Sequence, residues 1–257
     1  MFRLSKWYLD CVTDAGDAAV LYWASLKWGI ARLRYGAALV RAKDGERTER
    51  YTLRPGPEPT EDDGGGVQWT SRRLQASGSW KRSTRGMERT LLDTPDGSVH
   101  WRCVSPSSVA TVVMDGRSIR GSGYVEHLTM TVKPWRLPFN ELTWGRFHSS
   151  DDALVWIKWG GGLSRTWAFL NGVEWQGAEI TPHHVALSHA NAELNIEGGC
   201  ELRSGRLANT ALRSLWVAAA SIPRWRKAHE SKWLARGTLV RPSGISTGWA
   251  LHEAVEW

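Results

Sequence analysis

The chain has 257 residues, 42% of them hydrophobic and 23% charged, which suits one large β-structure or two modest domains with a real core. Its formal net charge is +7, but the basic residues, mostly arginine, are scattered, and neither a lysine run nor an ordered basic stripe marks a nucleic-acid-binding face. Cys11, Cys103 and Cys200 are too few and too far apart for a disulfide framework or a close metal-ligand spacing, and no stretch has the length of a membrane span or the apolar region of a signal peptide.

Strand signals then run in chain order. Residues 7–12 are short and β-prone, and Asp14-Ala15-Gly16-Asp17 is a turn. Residues 18–28 and 30–42 alternate loosely and form two hairpin arms joined near Trp28-Gly29. Lys43-Asp44-Gly45-Glu46 turns the chain, and 55–66 is a Pro/Gly/acid-rich loop expected to be exposed and mobile. Residues 67–71, 73–81, 87–92, 98–103 and 109–114 read as strands, with hairpin turns at Asp96-Gly97 and Asp115-Gly116.

The prolines of Lys133-Pro134-Trp135-Arg136-Leu137-Pro138 interrupt the pattern. Strands resume at 142–147, 153–159, 165–170, 173–175, 184–188 and 192–196, with turns at Gly160-Gly161-Gly162 and Asn171-Gly172. Residues 207–220 are the best helix candidate, though Trp216-Val217 equally fits a strand; 234–240 and 247–257 close the chain as strands. Short strands at regular spacing predict an all-β sandwich or barrel rather than βαβ units.

Tryptophan is the compositional outlier, 17 against 4 Phe and 5 Tyr. Indole can line a ligand cavity, stack on bases or sugars, or fill a core. The chemistry concentrates in Gly121-Ser122-Gly123-Tyr124-Val125-Glu126-His127. In a strand, Tyr124 and Glu126 share one face, and Val125 and His127 the other. In His100-Trp101-Arg102 the outer two share a face, so a neighbouring strand would bring His100 or Arg102 within reach of Tyr124 and Glu126. A carboxyl group among aromatic rings loses hydration and keeps its proton near neutral pH, as a general acid requires. A carbocation so formed would be steadied by indole and phenol faces. The plainer alternative is a half-exposed Glu126 paired with an arginine.

Other constellations carry less. His183, His184, His189 and Glu193 read as loop residues rather than metal ligands, no G-x-S-x-G elbow occurs, and the triple glycine lacks the Lys-Ser/Thr of a phosphate loop. Trp225 between Arg224 and Arg226 fits a solvated basic loop.

His100-Trp101-Arg102-Cys103-Val104-Ser105-Pro106, Ala110, Gly121-x-Gly123-Tyr124-x-Glu126-His127 and Leu142-x-Trp144-Gly145-Arg146 together resemble the carotenoid hydratase (hydroxyneurosporene synthase) family and its lipocalin-like relatives, which include tocopherol cyclase-like proteins and Diels–Alderases. Gly248-Trp249-Ala250-Leu251-His252-Glu253 looks like the closing strand of that group. Glu126 stands where the family carries Asp, and Leu128-Thr129-Met130 replaces an Asn-x-Gly continuation.

The resemblance implies an all-β fold of two lipocalin-like units, 1–130 and 131–257, with little helix. It implies a cofactor-independent, cytoplasmic enzyme without metal. This enzyme would act on a polyene, isoprenoid or polyketide-like substrate of secondary metabolism by acid-assisted hydration, isomerisation or cyclisation in a Trp-lined cavity. Glu126 is the expected acid, Tyr124 and His100 its hydrogen-bond partners, and Trp101, Arg102, Trp144, Tyr8 and Trp23 the substrate contacts. The competing readings are a carrier of a hydrophobic small molecule, a pericyclic catalyst that works by shape alone, and nucleic-acid binding through stacked tryptophan. Nucleic acid and a transmembrane segment are not expected; peripheral contact with a membrane and the oligomeric state stay open.

Overall fold

The computed structural model describes residues 1–206 and 228–257. The helix candidate 207–220 and Trp225 with its flanking arginines lie outside the described residues. The chain forms two compact units, Met1–Arg136 and Leu137–Trp257.

Glycine and aspartate at the turns set the hairpins of the first unit. Its strands are β1 (Phe2–Val12), β2 (Ala18–Trp28), β3 (Ala31–Arg41), β4 (Arg47–Thr52), β5 (Thr60–Glu61), β6 (Val67–Ser71), β7 (Ala76–Arg82), β8 (Met87–Thr94), β9 (Gly97–Met114) and β10 (Arg117–Met130). Asp115 and Gly116, both at positive φ (54° and 78°), make the two-residue turn between β9 and β10 whose twist matches the flanking strands. The antiparallel order is β4-β3-β2-β1-β10-β9-β7-β6-β5, with β8 on the free stretch of β9.

The second unit repeats the plan with β11 (Glu141–His148), β12 (Ala153–Gly160), β13 (Arg165–Leu170), β14 (Val173–Trp175), β15 (Glu179–Thr181), β16 (His184–Leu187), β17 (Ala192–Arg206), β18 (His229–Arg241) and β19 (Gly244–Glu256). Their order is β14-β13-β12-β11-β19-β18-β17-β16-β15, so in each unit the first strand pairs with the last. Each sheet curls into a half-barrel, and among the described residues helix amounts to two short 3-10 turns, Pro134–Arg136 and Ser188–Ala190. The expected all-β, two-unit lipocalin-like architecture is what the chain adopts.

The two units share a local device. A side chain at Gly121 would strike the Val12 carbonyl at the end of β1; one at Gly248 would strike the His148 carbonyl at the end of β11. Both positions admit only glycine because a neighbouring backbone passes there. Five residues beyond each glycine stands a buried glutamate, Glu126 in β10 and Glu253 in β19. Glu126 faces Tyr8 across β1, and Glu253 faces Trp144 across β11.

Period-two alternation sends Leu9, Leu21, Ala38 and Val125 to the inner face of the first sheet, with Trp7, Trp23, Trp69 and Trp80 among them. Trp80 is 1% exposed, donates its N–H to the Asp10 carbonyl at 2.6 Å, and lies against Gly78 and Gly123. A Cβ at Gly123 would come within 2.7 Å of the Trp80 ring. Much of the tryptophan therefore fills the core. In the second unit Trp156 occupies the matching space beside Gly145.

Two local expectations are corrected. The segments 98–103 and 109–114 are one strand, β9, whose first part pairs β8 and whose last part pairs β7. Pro106 sits in the gap between those pairings, where its missing N–H costs no ladder bond. The 55–66 loop is not free along its length. Pro55 and Pro59 are buried, and the indole N–H groups of Trp7, Trp23 and Trp69 bond to Glu58, the Gly56 carbonyl and the Pro57 carbonyl.

Candidate active site

The face of β1, β9 and β10 opposite the Trp80 core carries Tyr8, Asp10, Trp101, Cys103, Tyr124 and Glu126. Registers put Glu126 directly across from Tyr8 on one side and Cys103 on the other. All six are buried: Asp10, Cys103 and Tyr124 completely, Tyr8 and Trp101 at 2%, Glu126 at 9%.

Glu126 Oε2 accepts the indole N–H of Trp101 at 2.6 Å and the phenol O–H of Tyr124 at 2.9 Å. Both donors are uncharged. Two bonds on one oxygen hold the carboxyl plane. Tyr8 packs edge-on against Tyr22 (5.3 Å) and Tyr124 (6.1 Å), giving the carboxyl an aromatic surround.

Burial pushes the Tyr124 phenol well above its usual range, with the neighbouring Cys103 and Glu126 adding to the effect. Tyr124 thus remains a donor throughout the neutral range. The Cys103 thiol is likewise pushed well up by burial, so it is a packed thiol bonded to Tyr124 rather than a nucleophile.

Among the residues expected at the site, the structure brings Glu126, Tyr124, Trp101 and Tyr8 together. His100 is not a partner of Glu126: it faces the other side of β9, where its Nδ1 lies 3.4 Å from Thr90 Oγ1 and its Nε2 3.7 Å from Glu88. Arg102 also turns away, pairing with Glu61 at 2.8 Å above the Trp7 ring. Trp23 belongs to the inner core beside a half-open recess. Trp144 lies in the second unit with the Lys232 ammonium 5.4 Å from its ring centre. The cause of the His100 and Arg102 displacement is register. Glu126 pairs with Cys103, so the odd-numbered residues of this part of β9 share its face.

Sequence reasoning did not foresee the buried polar residues of the second unit. Lys232 pairs with Glu253 and Arg203 with Glu230, all at most 9% exposed. At the strand position equivalent to Glu126, Glu253 thus meets an ammonium where Glu126 meets two neutral donors. His252, stacked on Trp233, is lowered to about 4 by burial, with His183 and Lys232 adding positive charge nearby. Charged residues alternating along β18 look like a solvated face in sequence, so no periodicity flags them. Their signal is the spacing from Gly248 to Glu253, which copies that from Gly121 to Glu126.

His184 pairs with Glu193 at 3.8 Å, and no group of three metal-ligating side chains occurs among the described residues. No helix among them is long and apolar enough to cross a membrane.

The two-unit lipocalin-like fold is shared with solved structures. Solved structures that share it include CghA with Sch210972, at 12% identity and a TM-score of 0.59 over 99% of this chain and 88% of that one. Kievitone hydratase from Nectria haematococca matches at 10% identity and a TM-score of 0.59 over 98% of this chain and 88% of its own. An AttH candidate from Nitrosomonas europaea also matches at 10% and 0.59, over 98% and 92%. No family model and no curated protein sequence matches the chain. Identities this low establish the fold alone.

Proposed function

We propose that the protein is a cofactor-independent enzyme acting on a hydrophobic polyene, isoprenoid or polyketide-like molecule by acid-assisted hydration, isomerisation or cyclisation. The observation that carries this reading is the Glu126 carboxyl, buried among aromatic rings and oriented through Oε2 by Trp101 and Tyr124. A hydrophobic-ligand carrier has no use for an ionisable group so held, which favours the enzyme. The shared fold of kievitone hydratase, a hydratase, and of CghA, solved with Sch210972, lends support.

In this reading Glu126 is the catalytic acid, and Trp101 and Tyr124 are positioning residues. The carboxyl proton passes to one carbon of a C=C bond, whose π electrons form the new C–H bond and leave a carbocation on the other carbon. The ring faces of Tyr8 and its neighbours steady that charge. Water adds and returns its proton to the carboxylate in hydration. In isomerisation an adjacent C–H proton is lost instead, and in cyclisation a second C=C bond closes the ring before proton loss. Each course regenerates the acid and consumes no cofactor.

The test incubates the full chain with a panel of polyenes, terpenoids and polyketide-like trienes and follows products by liquid chromatography and mass spectrometry. Glu126→Gln keeps the size of the side chain and an oxygen to accept from Trp101 and Tyr124, but has no acidic proton. Turnover of any accepted substrate is expected to fall about a hundredfold or more. Unchanged turnover in a folded Gln variant would remove Glu126 as the acid.

A further inference from the structure

One end of the first unit combines three features that the fold does not need. The β2–β3 turn is Gly29-Ile30, with Gly29 at φ 60° and Ile30 fully exposed. Any polar residue would serve at the second place of such a turn. Trp28 beside it is 49% exposed, and its ring lies 5.4 Å from that of Trp135. Two aromatic rings and an isoleucine at a hairpin apex form an apolar tip with an amphipathic rim.

Charge is segregated around this tip. No acid occurs between Asp17 and Asp44, while Lys27, Arg32 and Arg34 are exposed within that hairpin. None occurs between Glu126 and Glu141 either, where Lys133 lies over the Trp135 ring at 5.9 Å and Arg136 is exposed.

The third feature is a recess of about 330 Å³ on the inner face, lined in part by Arg3, Ser5, Ser25 and Arg34. Along β1, β2 and β3 the inward residues change from Leu9, Leu21 and Ala38 to Trp7, Trp23 and Gly36, then to Ser5, Ser25 and Arg34. The apolar core ends in an indole layer and a polar row opens beyond it. Ser25 pairs with Arg34, and Arg3 with Lys27, one place from Trp28, so recess and tip lie at the same end. Arg3 and Arg34 are exposed and make no ion pair among the described residues. The acid in the lining, Glu58, accepts the Trp7 N–H.

We propose that this end of the first unit docks on an anionic phospholipid bilayer. Ile30, Trp28 and Trp135 enter the interface, Lys27, Arg32 and Lys133 face the charged surface, and Arg3 with Arg34 holds one lipid phosphate in the recess. The tip supplies apolar burial and its rim supplies charge, the two components by which interfacial proteins bind membranes. The recess lies on the opposite face of β1 and β10 from Glu126, so docking and the proposed chemistry stand or fall separately.

The experiment is co-sedimentation of the full chain with phosphatidylcholine vesicles, with and without phosphatidylglycerol, at low and high salt. Binding is expected to the anionic vesicles, weakly or not at all to the neutral ones, with loss at high salt and a blue shift of tryptophan emission. Ile30→Ser with Trp28→Ser, and separately Arg3→Gln with Arg34→Gln, should each weaken partitioning by about tenfold, a factor worth about 1.4 kcal/mol. Circular dichroism confirms that each variant is folded. Absence of binding to anionic vesicles, equal binding to neutral ones, or binding untouched by both variant pairs would overturn the proposal. So would inorganic phosphate binding in the recess without any vesicle binding.

Discussion

Replacing Trp80 with alanine empties the space beneath the strand that carries Glu126. The indole is 1% exposed, fills the gap left by Gly78 and Gly123, and satisfies the Asp10 carbonyl at 2.6 Å. Loss of a buried tryptophan ring in a site that cannot collapse costs about 3–5 kcal/mol. That is a large share of the about 5–15 kcal/mol that holds a typical domain together. Trp80→Phe keeps most of the ring but removes the N–H donated to the Asp10 carbonyl, and should cost about 0.5–1.5 kcal/mol beyond the lost ring area. Gly123→Ala attacks the same contact from the other side, since its Cβ would lie 2.5 Å from Ala110 Cβ and 2.7 Å from the Trp80 ring; overpacking of this kind costs about 1–3 kcal/mol. Urea unfolding followed by near-UV circular dichroism, which reports on packed tryptophan, measures all three. A Trp80→Ala loss below about 1 kcal/mol would show that the indole does not hold the first unit together. The assignment of Gly123 to Trp80 packing would then be wrong.

Three further predictions concern the polar groups. Trp101→Phe removes one of the two donors on Glu126 Oε2, and turnover of any accepted substrate should fall about tenfold or more in kcat, with KM little changed, an effect the size of one lost bond to a carboxyl group. Arg203→Met leaves Glu230 buried without its guanidinium, and calorimetry should register a loss of about 3–5 kcal/mol. His252 resists protonation down to about 4 when folded, against 6.5 for a free imidazole. Its stabilising contribution is complete above pH 6.5 and is lost as pH falls toward 4, because the unfolded chain takes up the proton first. His252→Gln should therefore flatten the stability–pH curve between pH 6.5 and 4 by about 3 kcal/mol, and an unchanged curve would place the acid sensitivity elsewhere.

Turn chemistry made the hairpins legible: Asp115-Gly116 and Asn171-Gly172 both adopt positive φ at each turn residue. The Tyr124–Glu126 pair could be read from alternation alone, since it needs only one strand. The place of His100 could not, because it depends on which residue of β9 stands opposite Glu126. The ladder shifts register at Gly123/Val125 and again at Val125/Glu126, and a one-residue change of register exchanges the faces. The 55–66 loop looked free because glycine, proline and acid dominate it, yet three indole N–H groups from the core reach out to it. A hydrogen bond across long sequence distance leaves no local pattern. The repetition of one plan in two units was hidden for the same reason: it resides in strand order and in one glycine–glutamate spacing.

The most direct measurement runs an accepted substrate in D2O and counts deuterium in the product by mass spectrometry. If Glu126 delivers its proton to carbon, hydration or cyclisation product carries one deuterium at a C–H position, and Glu126→Gln forms neither product nor label beyond the background. Product formed at full rate without label, or labelled equally in the Gln variant, would contradict it.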